Sequence, residues 1–218
     1  MRKLDARRMQ TNLLLEEVRH TIIGGGTLIF PTETVYGIGC DPMRADAIDR
    51  IFASKGRPRG KPLALHLATP DEALEYIAEN PSAVRAVHRF LPGPLAVIVA
   101  RPGFVNPALT AGLPSLSLRV PNHSLCREIL DCCGPLAATS ANRSGEPAFV
   151  GGKKGVLPQA DLFIDSGAAL LGIASTVVDF TTSPPKLVRE GAITREILEA
   201  ELGPLAVSIR AVSNEGQV

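Results

Sequence analysis

Apolar positions along the chain recur in two rhythms, and the rhythms take turns. Over Thr11–Ile23, Leu14, Val18 and Ile22 return every four residues and Gly24-Gly25-Gly26 ends the run, which predicts a helix. Residues 27–30 (TLIF) form a short unbroken apolar run after a turn, the mark of a buried strand. A loop rich in Thr and Gly follows at 31–42. Residues 44–55 return to helical spacing, with Ile48, Ile51 and Phe52 on one face, and 63–67 is the next apolar strand. Thr69-Pro70-Asp71-Glu72 reads as a capping box with Pro at the first helical position, so a helix runs to about residue 78. Asn80-Pro81 opens another, which ends before Pro92-Gly93-Pro94.

Leu95–Ala100 is a strand, and 115–120 alternates strictly: Leu116, Leu118 and Val120 face one way, Ser115, Ser117 and Arg119 the other. Asn122 is placed to cap a helix reaching about Cys133. Residues 135–138 are a short strand leading into a polar loop at 139–147. Further strands fall at 161–165, 176–180 and 186–188, and Thr194 caps a last helix that stops at Gly203. Strands and helices interleave throughout, without a linker or a repeat. The expected fold is one α/β domain over 11–203 with a twisted, mixed parallel and antiparallel sheet flanked by helices. Residues 1–10 and 204–218 are expected as terminal extensions.

A length of 218 residues fits one large domain, and 45% hydrophobic against 21% charged residues excludes a disordered chain. Lys and Arg number 23 and Asp and Glu 22, so there is no global basic field to draw the chain onto nucleic acid or anionic lipid. Aromatics make up 4%, with no Trp, which argues against a base-stacking surface. No apolar run approaches the ~20 residues of a membrane span. Arg2, Lys3, Arg7 and Arg8 precede no apolar core segment of a secretory signal. Cys40, Cys126, Cys132 and Cys133 form no CxxC pair and have no His at zinc spacing, so no metal site built from protein ligands is expected. Cys126 and Cys133 are expected as buried thiols of a cytoplasmic protein.

The densest polar feature is Lys55-Gly-Arg57-Pro-Arg59-Gly-Lys61-Pro62. Such a loop can be solvated, its cations complementing the end of the preceding helix. The Gly and Pro spacing instead gathers several cations around one point, which suits a polyphosphate. It is not a Walker A loop, because Lys stands at 55 and Pro at 62; nor is 24–29 a GxGxxG turn, because 29 is Ile. Two polar loops, PTETVYG at 31–37 and TSANRSG at 139–145, each follow a strand, where ligands bind in α/β sheets. Each is equally a plain turn. Ser115, Ser117 and Arg119 read either as a solvated sheet face or, if covered, as a fixed guanidinium for a carboxylate. His66, inside LALHL, reads as a core histidine, and Ser175-Thr176 and Arg189 complete the inventory. No Ser-His-Asp order, carboxylate pair or metal triad stands out. What remains is a polyphosphate site beside a site for a small polar molecule.

The segments GGGTLIFPTETVYGIGCD, SKGRPRGKPLALHL, LPGPLAVIV, SLSLRVP, AATSANRSGEPA, STVVDF and LVREGAI follow one another in the order of the YrdC family. The chain resembles the short, single-domain bacterial form of that family over about 25–202. The resemblance implies a nucleotidyltransferase that makes L-threonylcarbamoyladenylate and pyrophosphate from L-threonine, bicarbonate or CO2, and ATP with Mg²⁺. It also implies that the product passes to tRNA threonylcarbamoyl transferase machinery, which modifies adenosine beside the anticodon. By motif, Lys55 and Arg57 are the expected catalytic cations at the phosphates. Lys61, Ser115, Ser140, Ala148 and Arg189 are expected with Arg57 around ATP. Thr34, His66, Arg119, Ala138 and Ser175 are expected around L-threonine. Ile173-Ala174 depart from the more polar residues common before that serine. Two rivals stand: an RNA-binding module using the basic loop, for which a local patch could contact tRNA weakly, and a paralogue activating a different carbamate.

Overall fold

The computed structural model describes residues 1–152 and 156–207. In chain order the elements are β1 (Arg2–Asp5), α1 (Thr11–Ile23), β2 (Leu28–Phe30), β3 (Gly37–Cys40), α2 (Ala45–Lys55), β4 (Ala64–His66), α3 (Pro70–Leu74) and α4 (Pro81–Phe90). There follow β5 (Leu95–Ala100), β6 (Ser115–Arg119), α5 (Ser124–Cys133), β7 (Leu136–Ser140), β8 (Leu162–Asp165), β9 (Thr176–Asp179), β10 (Lys186–Arg189), α6 (Arg195–Leu202) and β11 (Ala206–Val207). All the strands join one 11-stranded sheet in the order β1-β8-β2-β3-β7-β4-β6-β5-β9-β10-β11. Parallel pairs such as β4/β6 and β5/β9 alternate with antiparallel ones such as β3/β7 and β5/β6, so the sheet is mixed as expected.

Helices cover the two faces unequally. On one face Leu14, Val18 and Ile22 of α1 and Cys126, Ile129 and Leu130 of α5 pack on Leu28, Phe30, Leu136, Ala138, Leu162 and Ile164. This layer lies over the β8-β2 end and reaches across to β7. On the other face Ile48, Ile51 and Phe52 of α2, Ala83, Ala86 and Val87 of α4 and Leu198 of α6 share a core with Leu65, Leu118 and Val97. Strand alternation puts Leu136, Ala138 and Ser140 on the first face, but α1 and α5 stop short of its far half. The first face is therefore left open over β7, β4, β6, β5 and β9.

Several elements differ from expectation. Residues 2–5, expected only as an extension, pair in parallel with β8 from Arg2↔Leu162 to Asp5↔Asp165. Arg-Lys-Leu-Asp has one apolar residue, as a half-solvated edge strand allows. GIGC at 37–40, read as loop, is a buried strand between β2 and β7. Its glycines hide it: a Cβ on Gly39 would lie 3.1 Å from both the Ala137 carbonyl oxygen and the Phe30 ring. β7 runs two residues further than 138. α3 ends at Leu74 rather than near 78, although Thr69 does accept Glu72 N–H at 3.2 Å. The cap of α5 is His123, whose Nδ1 accepts Cys126 N–H at 3.3 Å, not Asn122. Thr194 occupies the N-cap position of α6 without a side-chain cap bond. Ala206–Val207 add an edge strand to β10 in the stretch expected as a tail; the rest of that stretch, 208–218, lies outside the described residues. Cys126 is fully buried, and burial pushes its thiol far up, whereas Cys133 is only partly covered.

Candidate active site

The open half of the sheet carries a cleft of about 560 Å³. Its floor crosses successive strands on small side chains: Gly37, Ala138, Ala64, Ser117 and Ala96. Ala64 pairs with both Ala138 and Ser117, so these three form one row across the sheet, while Gly37 pairs with Ser140 and Ser117 with Ile98. Small residues at this row leave room above the sheet where larger ones would fill it.

One end of the cleft is built on β4, β6 and the 31–36 loop. His66 and Arg119 are cross-strand neighbours. Arg119 is 6% exposed, so the polar face of β6 is covered there rather than solvated. Its Nη2 donates to Glu33 Oε1 at 3.1 Å and to Thr34 Oγ1 at 2.5 Å. The loop presenting these acceptors is tied to itself: Thr32 Oγ1 donates to the Val35 carbonyl at 2.6 Å and accepts Thr34 N–H at 3.2 Å. His66 lies edge-on to Phe30 with ring centroids 6.0 Å apart. Burial, helped by the Arg119 charge, holds its pKa down to about 3, so the imidazole is neutral. Its Nδ1 is buried without a hydrogen-bond partner. The core histidine read from LALHL is thus also a cleft residue.

The other end is cationic. Arg57 Nε and Nη2 donate to the carbonyls of Lys61 and Pro62 at 2.9 and 2.8 Å, which folds the basic loop around its own guanidinium. Burial lowers the pKa of Arg57, which remains a cation. Lys55 closes α2, where Gly56 takes the left-handed conformation (φ 60°) that ends the helix. Its ammonium donates to the carbonyls of Ser140 and Asn142, joining the end of β7 to the end of α2. Asn142 Nδ2 in turn donates to the carbonyls of Arg143 and Glu146 at 2.8 and 2.7 Å, closing that turn. Arg189 reaches back from β10 to the Ser175 carbonyl at 3.0 and 2.8 Å and to its Oγ at 3.2 Å.

Of the residues expected at the two ligands, Arg57, Lys61, His66, Arg119, Ala138, Ser140, Ala148, Ser175 and Arg189 all line this one cleft. Three do not. Thr34 is fully buried behind Arg119, Lys55 sits beneath the Ser140–Asn142 turn, and Ser115 starts β6 opposite Ala100. Ser117, two residues on, is the β6 serine of the floor. Glu33, Asn142 and Glu146 were not singled out from the sequence. Nothing in PTET marks its glutamate as buried, and only the pairing with Arg119, 86 positions away, gives it a role.

The Ser175 side of the cleft depends on a close approach. A Cβ on Gly191 would stand 2.2 Å from the Ala174 carbonyl oxygen and 2.6 Å from the Ser175 carbonyl carbon. Gly191→Ala should therefore push residues 174–175 away and destabilise the fold by about 1–3 kcal/mol, the usual cost of overpacking. A thermal melt superimposable on that of the wild type would show that the strand end yields freely.

A family model for Sua5/YciO/YrdC, described as "Telomere recombination", matches residues 20–191. The chain belongs to the Sua5/YciO/YrdC family. It is 35% identical over 189 residues to the threonylcarbamoyl-AMP synthase of Pyrococcus abyssi, covering 84% of this chain and 55% of that protein. It is 36% identical over 187 residues to the threonylcarbamoyl-AMP synthase of Bacillus subtilis, covering 82% and 53%. The chain therefore spans about half the length of these relatives. The crystal structure of P. abyssi Sua5 complexed with L-threonine superposes with a TM-score of 0.85 at 32% identity, over 94% of this chain and 62% of that one. The mixed sheet with an open face is the Sua5/YciO/YrdC fold.

Proposed function

We propose that the cleft condenses L-threonine, CO2 or bicarbonate, and ATP into L-threonylcarbamoyladenylate and pyrophosphate. The observation that carries this reading is the joining of two unlike polar ends on one floor of small residues. A buried guanidinium beside a neutral imidazole suits an amino acid; a cationic loop suits a triphosphate. The relatives named threonylcarbamoyl-AMP synthase, and the L-threonine in the P. abyssi structure, point the same way.

In this reading Arg119 binds the threonine carboxylate and fixes where the amine sits. The ammonium gives up a proton, the amine nitrogen attacks CO2, and loss of a second proton leaves a carbamate anion. A carbamate oxygen attacks the α-phosphorus. The bond from that phosphorus to the bridging oxygen breaks, and pyrophosphate leaves with the electron pair. Arg57, Lys61 and Arg189 balance the charge gathering on the departing phosphates, so positioning and electrostatics carry most of the step. Magnesium enters as part of the nucleotide. Among the described residues the cleft offers one lining carboxylate, Glu146, amid its cations, a donor set suited to an ion held chiefly by phosphate oxygens and water. Bound there, the ion would supply further charge neutralisation.

The adenylate then passes to a transferase that modifies tRNA. A role as an RNA-binding module is less well supported. Arg57 and Arg189 are turned into the cleft and hydrogen-bonded to carbonyls rather than spread over a solvated face.

Pyrophosphate release, assayed with each component omitted in turn, tests the reading: it should require both threonine and bicarbonate. Release that is equal without any amino acid would overturn the reading, and a preference for a different amino acid would move it to another carbamate. Arg119→Lys keeps the charge but loses the planar fork, so threonine binding should weaken by roughly 1.5–3 kcal/mol. ATP affinity without threonine should hardly change. Calorimetric titration of both ligands checks this; unchanged threonine affinity would remove Arg119 as the carboxylate clamp.

A further inference from the structure

Glu33 is 4% exposed, its Oε1 is engaged by Arg119, and its Oε2 is buried with no partner. Arg119 Nε is likewise buried and unpartnered. A buried carboxylate oxygen and a buried guanidinium N–H left open in one ion pair are costly unless something completes them. The backbone holds Glu33 in place, since its carbonyl accepts Leu171 N–H at 2.8 Å and the Thr32–Val35 turn encloses it.

The charges within this pair cancel, and the Arg189 cation stands near enough to act on Arg119. Arg119 and Glu33 sum to zero, and the two nearby imidazoles add nothing. His66 is neutral down to about pH 3, and burial also lowers His123, against the pull of Glu33. Arg189 faces the Ser175 carbonyl, and the remaining cations gather around the basic loop. A ligand with a net negative charge would compete with the Glu33 carboxylate for Arg119 and be repelled by it. A zwitterion would not be repelled. Its carboxylate meets Arg119 while its ammonium offsets the charge that carboxylate brings.

Resting on the reading of the cleft as an amino-acid site, we infer that Glu33 is its specificity-determining residue for charge. It holds Arg119 in a neutral buried pair, so that the end of the cleft accepts a zwitterionic amino acid and rejects a simple carboxylate of the same shape. Glu33 acts through Arg119 and through the field at the site, as a positioning residue.

Titration of L-threonine and of its des-amino analogue, (R)-3-hydroxybutyrate, tests this. The wild type should prefer threonine by about tenfold or more, the worth of one charge-assisted hydrogen bond. Glu33→Gln keeps the shape and an acceptor for Arg119 but removes the charge, so the preference should collapse towards unity while ATP binds as before. Glu33→Asp should retain it. A wild type that binds both acids equally, a Glu33→Gln protein with the wild-type ratio, or loss of the preference in Glu33→Asp as well as in Glu33→Gln would each overturn the inference. Should Glu33→Gln fail to fold, Glu33→Ala takes its place, with the same collapse of the preference expected and the wild-type ratio overturning the inference. A wild type that binds neither acid would instead refute the amino-acid reading, and the inference with it.

Discussion

Arg57→Ala is expected to lower the rate of pyrophosphate release by ~10²-fold or more, the scale seen when one preorganised electrostatic group is removed. Arg57 lines the cleft, and among the described residues its guanidinium binds only the carbonyls of Lys61 and Pro62 within its own loop. Its loss should therefore slacken residues 57–62 and remove charge from the phosphate end without reaching the hydrophobic core. The melting temperature should change little. A melt shifted strongly downward, with activity per folded molecule unchanged, would make Arg57 a structural residue.

Lys55→Met should differ in kind. Lys55 is 3% exposed, and its ammonium supplies donors to the carbonyls of Ser140 and Asn142. Methionine fills the space but leaves the Asn142 carbonyl unpaired, at about 1–3 kcal/mol, and the Ser140 carbonyl with the Asn142 N–H alone. Stability and activity should fall together, because Ser140 and Asn142 line the cleft. The pH dependence adds a second signature. Burial, with the Arg57 charge beside it, lowers the Lys55 pKa from 10.5 to about 8. The folded protein therefore binds this proton less tightly than the unfolded chain does. Its penalty is fully present below about pH 8 and relieved as pH rises towards 10.5. The stability of the wild type relative to Lys55→Met should climb across that window. Parallel melting curves from pH 7 to 10.5 would contradict the buried ammonium.

Periodicity made the helices and the central strands legible, because their apolar spacing records which face is covered. Leu116, Leu118 and Val120 announced β6 and put Arg119 opposite them. Periodicity could not say whether that opposite face met solvent, since alternation looks the same either way; the answer depends on Thr34 and Glu33, brought there from another strand end. GIGC escaped because a strand whose glycines lie against neighbouring backbone and ring keeps only Ile38 and Cys40 as its hydrophobic signal. The Arg2–Asp5 strand escaped because an edge needs only one half-buried apolar residue, here Leu4. The cationic loop was visible as a cluster, but the division of labour within it was not. Lys55 and Arg57 stand two residues apart, yet one is sealed beneath a turn and the other faces the cleft. Ser115 and Ser117 lie on the same face of β6, and alternation alone does not say which of them stands deeper in the cleft.

The central claim is that one cleft joins a threonine carbamate to the α-phosphorus of ATP. Incubation with L-threonine, ATP and ¹³C-labelled bicarbonate, followed by mass spectrometry of the nucleotide fraction, tests it most directly. The account predicts an AMP adduct that carries both threonine and one ¹³C atom. An adduct of threonine with AMP that contains no label, or labelled carbonate with no adduct at all while ATP is consumed, would contradict it.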